Sequence, residues 1–207
     1  MHFADIDTSI ELPLMEHFYT IQGEGFHAGR AAYFVRLAGC DVGCVWCDVK
    51  ESWGLDGHPI FKLEELVKII CDSFTNFVVI TGGEPALYDL TNLIAALNLN
   101  GIETAIETSG CYPLRGDIDW YCFSPKKFKA PCEEAYERAD ELKVVIFHES
   151  DLDWAEEHAS KVNDNCILFL QPEWSRQERI LPKIIDHVKG NPKWRISLQT
   201  HKFMQIP

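Results

Sequence analysis

Six short, almost uninterrupted apolar runs recur along the chain with helical patterns between them, and this alternation limits the possible fold most strongly. The runs are residues 33–37, 77–80, 104–106, 120–123, 143–147 and 167–170. Near-continuous hydrophobicity is typical of strands covered on both faces, as in parallel sheets. Helical periodicity at 62–74, 90–97, 152–158 and 180–188 separates or follows them, with Pro182 expected in the first turn of the last helix. The alternation predicts an α/β fold with a parallel sheet.

Polar and turn-forming residues follow four of these runs directly. The segments are 81–85 (Thr-Gly-Gly-Glu-Pro), 107–110 (Glu-Thr-Ser-Gly), 124–126 (Ser-Pro-Lys) and 171–174 (Gln-Pro-Glu-Trp). The C-terminal ends of parallel strands meet at one edge, in barrels and in open sheets alike. We therefore expect these side chains to converge on a common cavity at that edge.

Composition places the chain in a broad class. Its 207 residues are 46% apolar and 25% charged, which is typical of one soluble globular domain. No stretch reaches the roughly 20 apolar residues of a membrane span. The acidic first seven residues lack the basic start and apolar run of a signal peptide, so we predict a cytoplasmic protein with no membrane partner. The net charge of −13 argues against nucleic-acid binding.

Three cysteines, Cys40, Cys44 and Cys47, are spaced C-x3-C-x2-C within eight residues. Three thiolates in one loop, without a close fourth, suggest a 4Fe–4S cluster with one open iron, and Trp46 fits a water-poor pocket. A zinc site with a distant fourth ligand, or three core cysteines adjacent by chance, stay open. The remaining cysteines lack a compact motif and are interpreted as ordinary thiols. They are Cys71, Cys111, Cys122, Cys132 and Cys166.

The order of the motifs resembles the radical S-adenosylmethionine (SAM) superfamily, in which the cysteine loop precedes a strand ending in Gly82-Gly83-Glu84-Pro85. Further segments resemble the 7-carboxy-7-deazaguanine synthase family within it. They are residues 21–25, 34–40, 46–48, 124–126, 171–172 and 198–207. The resemblance runs from about residue 15 to 207, and the ordered combination is far more specific than any single piece.

The resemblance implies a fold and an activity. The fold is a partial, incomplete TIM-like βα barrel, formed by a single radical SAM domain over residues 1–207. The activity is that of a lyase that contracts 6-carboxy-5,6,7,8-tetrahydropterin to 7-carboxy-7-deazaguanine and releases ammonia, in queuosine and 7-deazapurine biosynthesis. The family uses the 4Fe–4S cluster and one electron to cleave SAM to a radical. It implies a one-electron reductant such as flavodoxin or ferredoxin, and a homodimer.

The resemblance also assigns residues. The cluster ligands are Cys40, Cys44 and Cys47. The SAM-contacting positions are Trp46, Cys47, Asp48, Gly83, Ser124, Pro125, Lys126, Gln171, Pro172, Glu173 and Trp174. The substrate-contacting positions are Ile21, Gln22, Gly23, Glu24, Arg36, Thr81 and Pro207, the last through its carboxylate. Arg36 lies within an apolar run, and a buried Arg needs an anion, which is either the substrate carboxylate or an internal salt-bridge partner.

One position departs from the family pattern. The family commonly has Thr or Ser after Cys-Asp, where the hydroxyl helps to hold Mg²⁺ near the substrate carboxylate, but this chain has Val49. A valine side chain offers no oxygen to a hard cation. We therefore predict a weakened magnesium dependence, unless substrate oxygens, water and Asp48 hold the ion or a cation such as Lys50 replaces it.

Two other classes of function stay open on sequence grounds. A radical SAM activase would generate a glycyl radical on a partner protein, but a small planar substrate explains residues 22–25 and 201–207 better. A non-enzymatic iron–sulfur electron carrier or a zinc-binding interaction module would need four fixed ligands and no cofactor cavity.

Overall fold

A computed structural model describes residues 6–207 as an open nine-stranded sheet flanked by helices. The strands are β1 (Glu11–Ile21), β2 (Ala31–Leu37), β3 (Ile60–Lys62), β4 (Phe77–Gly82), β5 (Glu103–Thr108), β6 (Trp120–Phe123), β7 (Glu141–Ile146), β8 (Ile167–Pro172) and β9 (Trp194–Ile196). The helices are α1 (Leu63–Cys71), α2 (Thr91–Leu99), α3 (Glu133–Arg138), α4 (Asp151–Ala159), α5 (Gln177–Gly190) and α6 (Thr200–Met204).

The sheet has the order β3-β1-β2-β4-β5-β6-β7-β8-β9. From β2 through β9 every neighbouring pair in this order is parallel, whereas β1 runs antiparallel to both β2 and β3. Because the two edges do not pair, the sheet is an incomplete barrel. The predicted α/β class with a parallel, partial βα barrel is confirmed.

Alternate residues of the central strands face opposite sides of the sheet. In β7, Leu142, Val144 and Ile146 belong to the main apolar core, which joins the sheet to the helices. The intervening Lys143 and Val145 line a cavity on the other side. The helices therefore bury one face of the sheet, and the other face carries a smaller apolar cluster together with the polar side chains that line the cavity.

All six predicted strands are present, and several are longer than the apolar runs. The strands β1, β3 and β9 and the short helices α3 and α6 were not predicted. The predicted helix over 62–74 ends earlier, at Cys71, and Phe74 beyond it is 97% exposed.

The predicted position of Pro182 in the first turn of a helix is wrong. Helix α5 begins at Gln177, so Pro182 lies inside it. Both Pro182 and Glu178, whose carbonyl loses its usual partner, are exposed, and water can satisfy that carbonyl.

None of the helices between residues 6 and 207 combines the length and the apolar character that crossing a bilayer requires. Residues 1–5, which belong to the acidic first seven residues used to predict a cytoplasmic protein, lie outside the described part of the chain.

Candidate active site

A cavity of about 250 Å³ opens at the C-terminal edge of the parallel strands. Its lining contains every site residue predicted from the sequence except Pro125. The predicted residues that line it are Ile21, Gln22, Gly23, Glu24, Arg36, Cys40, Cys44, Trp46, Cys47, Asp48, Val49, Thr81, Gly83, Ser124, Lys126, Gln171, Pro172, Glu173, Trp174 and Pro207. The convergence expected from the strand ends is therefore observed, while the roles of these residues stay predictions.

The cysteine loop is tied to the segment that follows it. Backbone N–H groups of Gly39 and Cys40 donate to the carbonyls of Ser52 and Trp53 at 2.7 and 3.1 Å. Cys44 is buried, and burial raises the pKa of its thiol to about 11. Metal binding would have to displace that proton.

The donor set fits an iron–sulfur cluster. Within residues 6–207, no three His, Cys, Asp or Glu side chains come close enough to hold one metal ion. A cluster accepts each thiolate on a different iron, so its ligands stand farther apart than those of one zinc. The three free thiols of the cysteine loop line one cavity, and thiolates are the ligands that such a cluster takes.

Gly83 fits closely against the cysteine loop. A Cβ at this position would lie 2.2 Å from the carbonyl oxygen of Gly39 and 2.8 Å from Cβ of Cys40. The adjacent Glu84 N–H donates to the same Gly39 oxygen at 2.9 Å. The absence of a side chain thus lets the end of β4 support the loop, a reason beyond the predicted close approach of SAM.

We expect Gly83→Ala to lower the amount of iron–sulfur cluster bound by the cysteine loop at least about fivefold, because the backbone of Gly39 cannot move away from the added Cβ without strain. Iron and sulfide content after anaerobic reconstitution would measure this. Gly190→Ala is the matched control, since a Cβ there meets nothing within 4 Å. Equal iron content in both variants would contradict the supporting role.

Glu84 was not predicted as a site residue. Its carboxylate is buried and accepts hydrogen bonds from the N–H groups of Ala86 and Ser109 at 3.0 and 2.9 Å, and from the Thr108 hydroxyl at 2.5 Å. It therefore fastens the end of β4 to the end of β5, beside the cysteine loop.

The segment after β6 folds back on itself. The Lys126 ammonium donates to the backbone oxygen and to the hydroxyl of Ser124 at 2.5 and 2.6 Å, and it lies 5.8 Å from the centre of the Trp46 ring. Burial lowers the pKa of Lys126. Ser124 and Lys126 thus line the cavity next to the cysteine loop, whereas Pro125, buried between them, does not line it.

The segment after β8 places Gln171 and Trp174 at the cavity. The Ser197 hydroxyl donates to the side-chain oxygen of Gln171 at 2.7 Å. The Glu173 carboxylate accepts from the N–H and the hydroxyl of Ser175 at 3.1 and 2.6 Å, so it caps a short 3₁₀ turn. Trp174 packs edge-on against Phe203 of α6 at 5.3 Å.

The glycines of segment 22–25 have packing roles. A Cβ at Gly23 would lie 2.3 Å from Nδ1 of His201, and the Gly23 oxygen accepts from the N–H of Thr200 at 3.0 Å. Gly25 has φ +65°, and a Cβ there would meet the Glu141 carboxylate at 2.1 Å. These glycines let α6 and β7 approach the segment, a packing role in addition to the substrate contact that the resemblance implies for Gly23.

A polar network that the sequence did not reveal links the predicted substrate residues. It consists of Gln22, Glu24, Glu107, Lys143 and Gln199, and is called the Lys143 network below. Lys143 could have been noticed in the sequence, because it is a charged residue within an apolar strand, as Arg36 is. Its partners could not be predicted, because they come from distant segments of the chain.

Arg36 is less buried than predicted. Its side chain is 19% exposed, and Nε lies 2.7 Å from Oε1 of Glu16 on the neighbouring strand β1. The parallel partner of Arg36 in β4 is Thr81, so two predicted substrate residues are adjacent in the sheet. The Pro207 oxygen accepts a 3.3 Å hydrogen bond from the Thr20 hydroxyl. Arg36 thus has an internal anion partner while it also lines the cavity.

Asp48 and Val49, where the family holds Mg²⁺, lie beside a lysine. The Asp48 carboxylate is paired with the Lys202 ammonium at 3.0 Å, and Val49 contributes no oxygen through its side chain. Lys50, suggested from the sequence as a substitute cation, is exposed and lies over the Trp53 ring. Lys202 is the cation that reaches Asp48.

Comparisons with known proteins agree with this geometry. A family model of the Radical SAM superfamily matches residues 35–130. The chain is 56% identical to the 7-carboxy-7-deazaguanine synthase of Flavobacterium psychrophilum, over 95% of this chain and 93% of the relative. It is 44% identical to the protein of the same name from Synechocystis, over 96% and 95%. The crystal structure of QueE from Escherichia coli is similar with a TM-score of 0.81 and 32% identity, covering 91% of this chain and 93% of that one.

Relatives at these identities extend over almost the whole of both chains, and the cysteine loop, the strand-end segments and the incomplete barrel are present together. The radical SAM superfamily is defined by a 4Fe–4S cluster and SAM, and the three thiols at the cavity fit that cluster. The chain belongs to the 7-carboxy-7-deazaguanine synthase family of radical SAM enzymes.

Proposed function

We propose that this chain converts 6-carboxy-5,6,7,8-tetrahydropterin to 7-carboxy-7-deazaguanine with release of ammonia, as a step in queuosine and 7-deazapurine biosynthesis. One observation carries the proposal: a single cavity combines the three thiols of the cysteine loop with an acceptor-rich wall around Glu24 and Glu107. The similarity to 7-carboxy-7-deazaguanine synthases over 95% of the chain supports the same reaction. We propose that the whole chain acts as one radical SAM domain.

The cysteine side of the cavity would hold the cofactors. Cys40, Cys44 and Cys47 would bind the 4Fe–4S cluster, which with SAM supplies the one-electron chemistry that removes a hydrogen atom from the substrate. Ser124 and Lys126 would contact SAM from the segment after β6, where the hydroxyl and the ammonium suit ribose and carboxylate oxygens. The remaining predicted SAM positions would contribute from the same wall.

The opposite wall would hold the pterin. Gln22 and Glu24 would face its amino-pyrimidinone edge, and Arg36 and Thr81 would lie at its carboxylate. The reaction needs a one-electron reductant, for which a flavodoxin or a ferredoxin is suitable. By analogy with the family we propose a homodimer.

Product analysis tests the proposed function directly. Anaerobically reconstituted protein would be incubated with the carboxypterin, SAM and a strong reductant, and the products identified by mass spectrometry. We expect 7-carboxy-7-deazaguanine and ammonia in equal amounts. SAM cleavage without ring contraction would overturn the proposal. A glycyl radical formed on an added partner protein would favour the activase alternative, and a colourless protein that retains zinc would favour the interaction module.

Magnesium is expected to have a small effect on this protein. We expect Mg²⁺ to raise the turnover rate less than about twofold, because the Val49 side chain provides no ligand oxygen and the Asp48 carboxylate is already paired with the Lys202 ammonium. Val49→Thr should increase the stimulation to at least about fivefold, because it adds a hydroxyl beside Asp48.

The control for this change is Val49→Ala, which removes bulk without adding a ligand. Rates would be measured after chelation and then during a magnesium titration. A large magnesium stimulation of the unaltered protein, equal to that of the Thr variant, would show that position 49 does not determine metal dependence.

A further inference from the structure

Lys143 is a buried lysine that no cofactor role explains. It lies in β7, is 3% exposed, and points to the cavity side of the sheet. Its ammonium lies 2.6 Å from Oε2 of Glu24 and 3.3 Å from Oε2 of Glu107. These carboxylates come from the segment after β1 and from β5, so one cation joins two separate walls of the site.

Each carboxylate is also fixed by an amide. The Gln199 side chain donates to Oε1 of Glu24, and the Gln22 side chain donates to Oε1 of Glu107, both at 2.9 Å. Gln22 is itself oriented, because its oxygen accepts from the N–H of Glu24 at 3.0 Å. All partners of the two carboxylates within the Lys143 network are donors. The carboxylate oxygens therefore act as acceptors, and each carboxylate retains lone-pair sites for a ligand.

We propose that Lys143 is a positioning residue: it holds the Glu24 and Glu107 carboxylates as hydrogen-bond acceptors aimed at the cavity, so that the site selects a heterocycle that presents N–H donors. The amino-pyrimidinone edge of a pterin has these donors. The inference rests on the proposed function for the identity of the ligand and adds the residue that sets its recognition.

Among the charged groups around it, Lys143 is the cation that pairs with both Glu24 and Glu107. The titratable and charged groups around it are Glu24, Glu107, Glu141, Cys122, Lys126 and, beyond Glu24, His201. Glu141 has other partners, the Phe26 N–H and the Trp120 ring N–H, both at 3.1 Å. Lys126 is engaged with Ser124.

Electrostatics agree with the contacts. Burial alone would raise the pKa of Glu24, but the charge and the hydrogen bond of Lys143, with the Gln199 amide, outweigh burial and lower the pKa to about 2. Without the ammonium, two carboxylates at one site repel, and one takes up a proton near neutral pH. A protonated carboxyl donates a hydrogen bond, and it would then face a donor of the ligand.

The test is Lys143→Met, with binding of 6-carboxypterin as the readout. Cluster-loaded protein with SAM would be ultrafiltered anaerobically with the probe, and free probe measured by its fluorescence. At about pH 6 we expect the dissociation constant of Lys143→Met to be at least about tenfold higher than that of the unaltered protein. It should fall by up to about tenfold as the pH rises to about 7.5, because the two carboxylates then lose the proton that they share. Lys143→Arg keeps the charge, so its affinity for 6-carboxypterin should be independent of pH over this range, as we expect for the unaltered protein.

Lys68→Met is the matched control, because Lys68 pairs with Asp72 on the surface and is 78% exposed. A weaker but pH-independent affinity in Lys143→Met would indicate a merely structural role and overturn the inference. The unaltered protein gives a second test that needs no variant. Its affinity should be flat between about pH 5.5 and about 7.5, and a steep improvement over that range would also overturn the inference.

The two proposals fail in different ways. Absence of 7-carboxy-7-deazaguanine from the unaltered protein would remove the proposed function. Normal product formation together with unchanged 6-carboxypterin binding in Lys143→Met would remove only the role of Lys143.

Discussion

Replacing Cys44 by Ala is expected to abolish turnover, with a loss of at least about 1000-fold, because a cluster held by two thiolates is not retained. Cys44 is the buried member of the trio and lines the cavity together with Cys40 and Cys47. Iron and sulfide content, the visible absorption of the reconstituted protein and product formation would be measured together. All should fall in parallel, while far-UV circular dichroism stays close to that of the unaltered protein.

Cys71→Ala is the control for this substitution. Cys71 is an exposed thiol at the end of α1, and it should be replaceable without loss of iron or activity. The comparison also tests the interpretation of Cys71 as an ordinary thiol. Retention of a full cluster in Cys44→Ala would show that another side chain supplies the ligand, and the cavity would then need a different assignment.

The central sheet could be predicted because its strands are buried on both faces. The runs that became β4, β6 and β8 consist of consecutive apolar residues, a pattern typical of a strand that is buried on both faces. Strand β1 escaped prediction because it lies near the sheet edge and has many polar residues, such as Glu16 and His17. Helix α6 has five residues, too few to show a helical period.

The site was predictable where neighbouring residues carry the chemistry. Cys40, Cys44 and Cys47 lie within one loop, and their spacing was enough to suggest a cluster. Glu107 and Lys143 come from strands that are not adjacent in the sheet, and only the fold brings their side chains together. A sequence pattern reports spacing along the chain, so contacts across the cavity are not visible in it.

Replacing Arg36 by Ala is expected to raise the KM for the carboxypterin about 100-fold, while SAM cleavage without substrate continues at a rate within about threefold of the unaltered protein. A guanidinium binds a carboxylate through charge-assisted hydrogen bonds, and Arg36 lines the cavity next to Thr81. Steady-state kinetics in the carboxypterin and the rate of uncoupled SAM cleavage would separate substrate capture from radical generation.

Comparison of Glu16→Ala with Arg36→Ala distinguishes the two interpretations of Arg36. The 2.7 Å pair with Glu16 is partly exposed, with 44% of the Glu16 side chain accessible, so the pair itself adds little stability. If Arg36 binds the substrate carboxylate, Glu16→Ala should leave the KM within about threefold of the unaltered protein, because the guanidinium remains. If Arg36 serves only the internal pair, both substitutions should leave the KM within about threefold of the unaltered protein, since each breaks the same weak contact. A 100-fold effect confined to the arginine variant is the outcome that the cavity geometry favours.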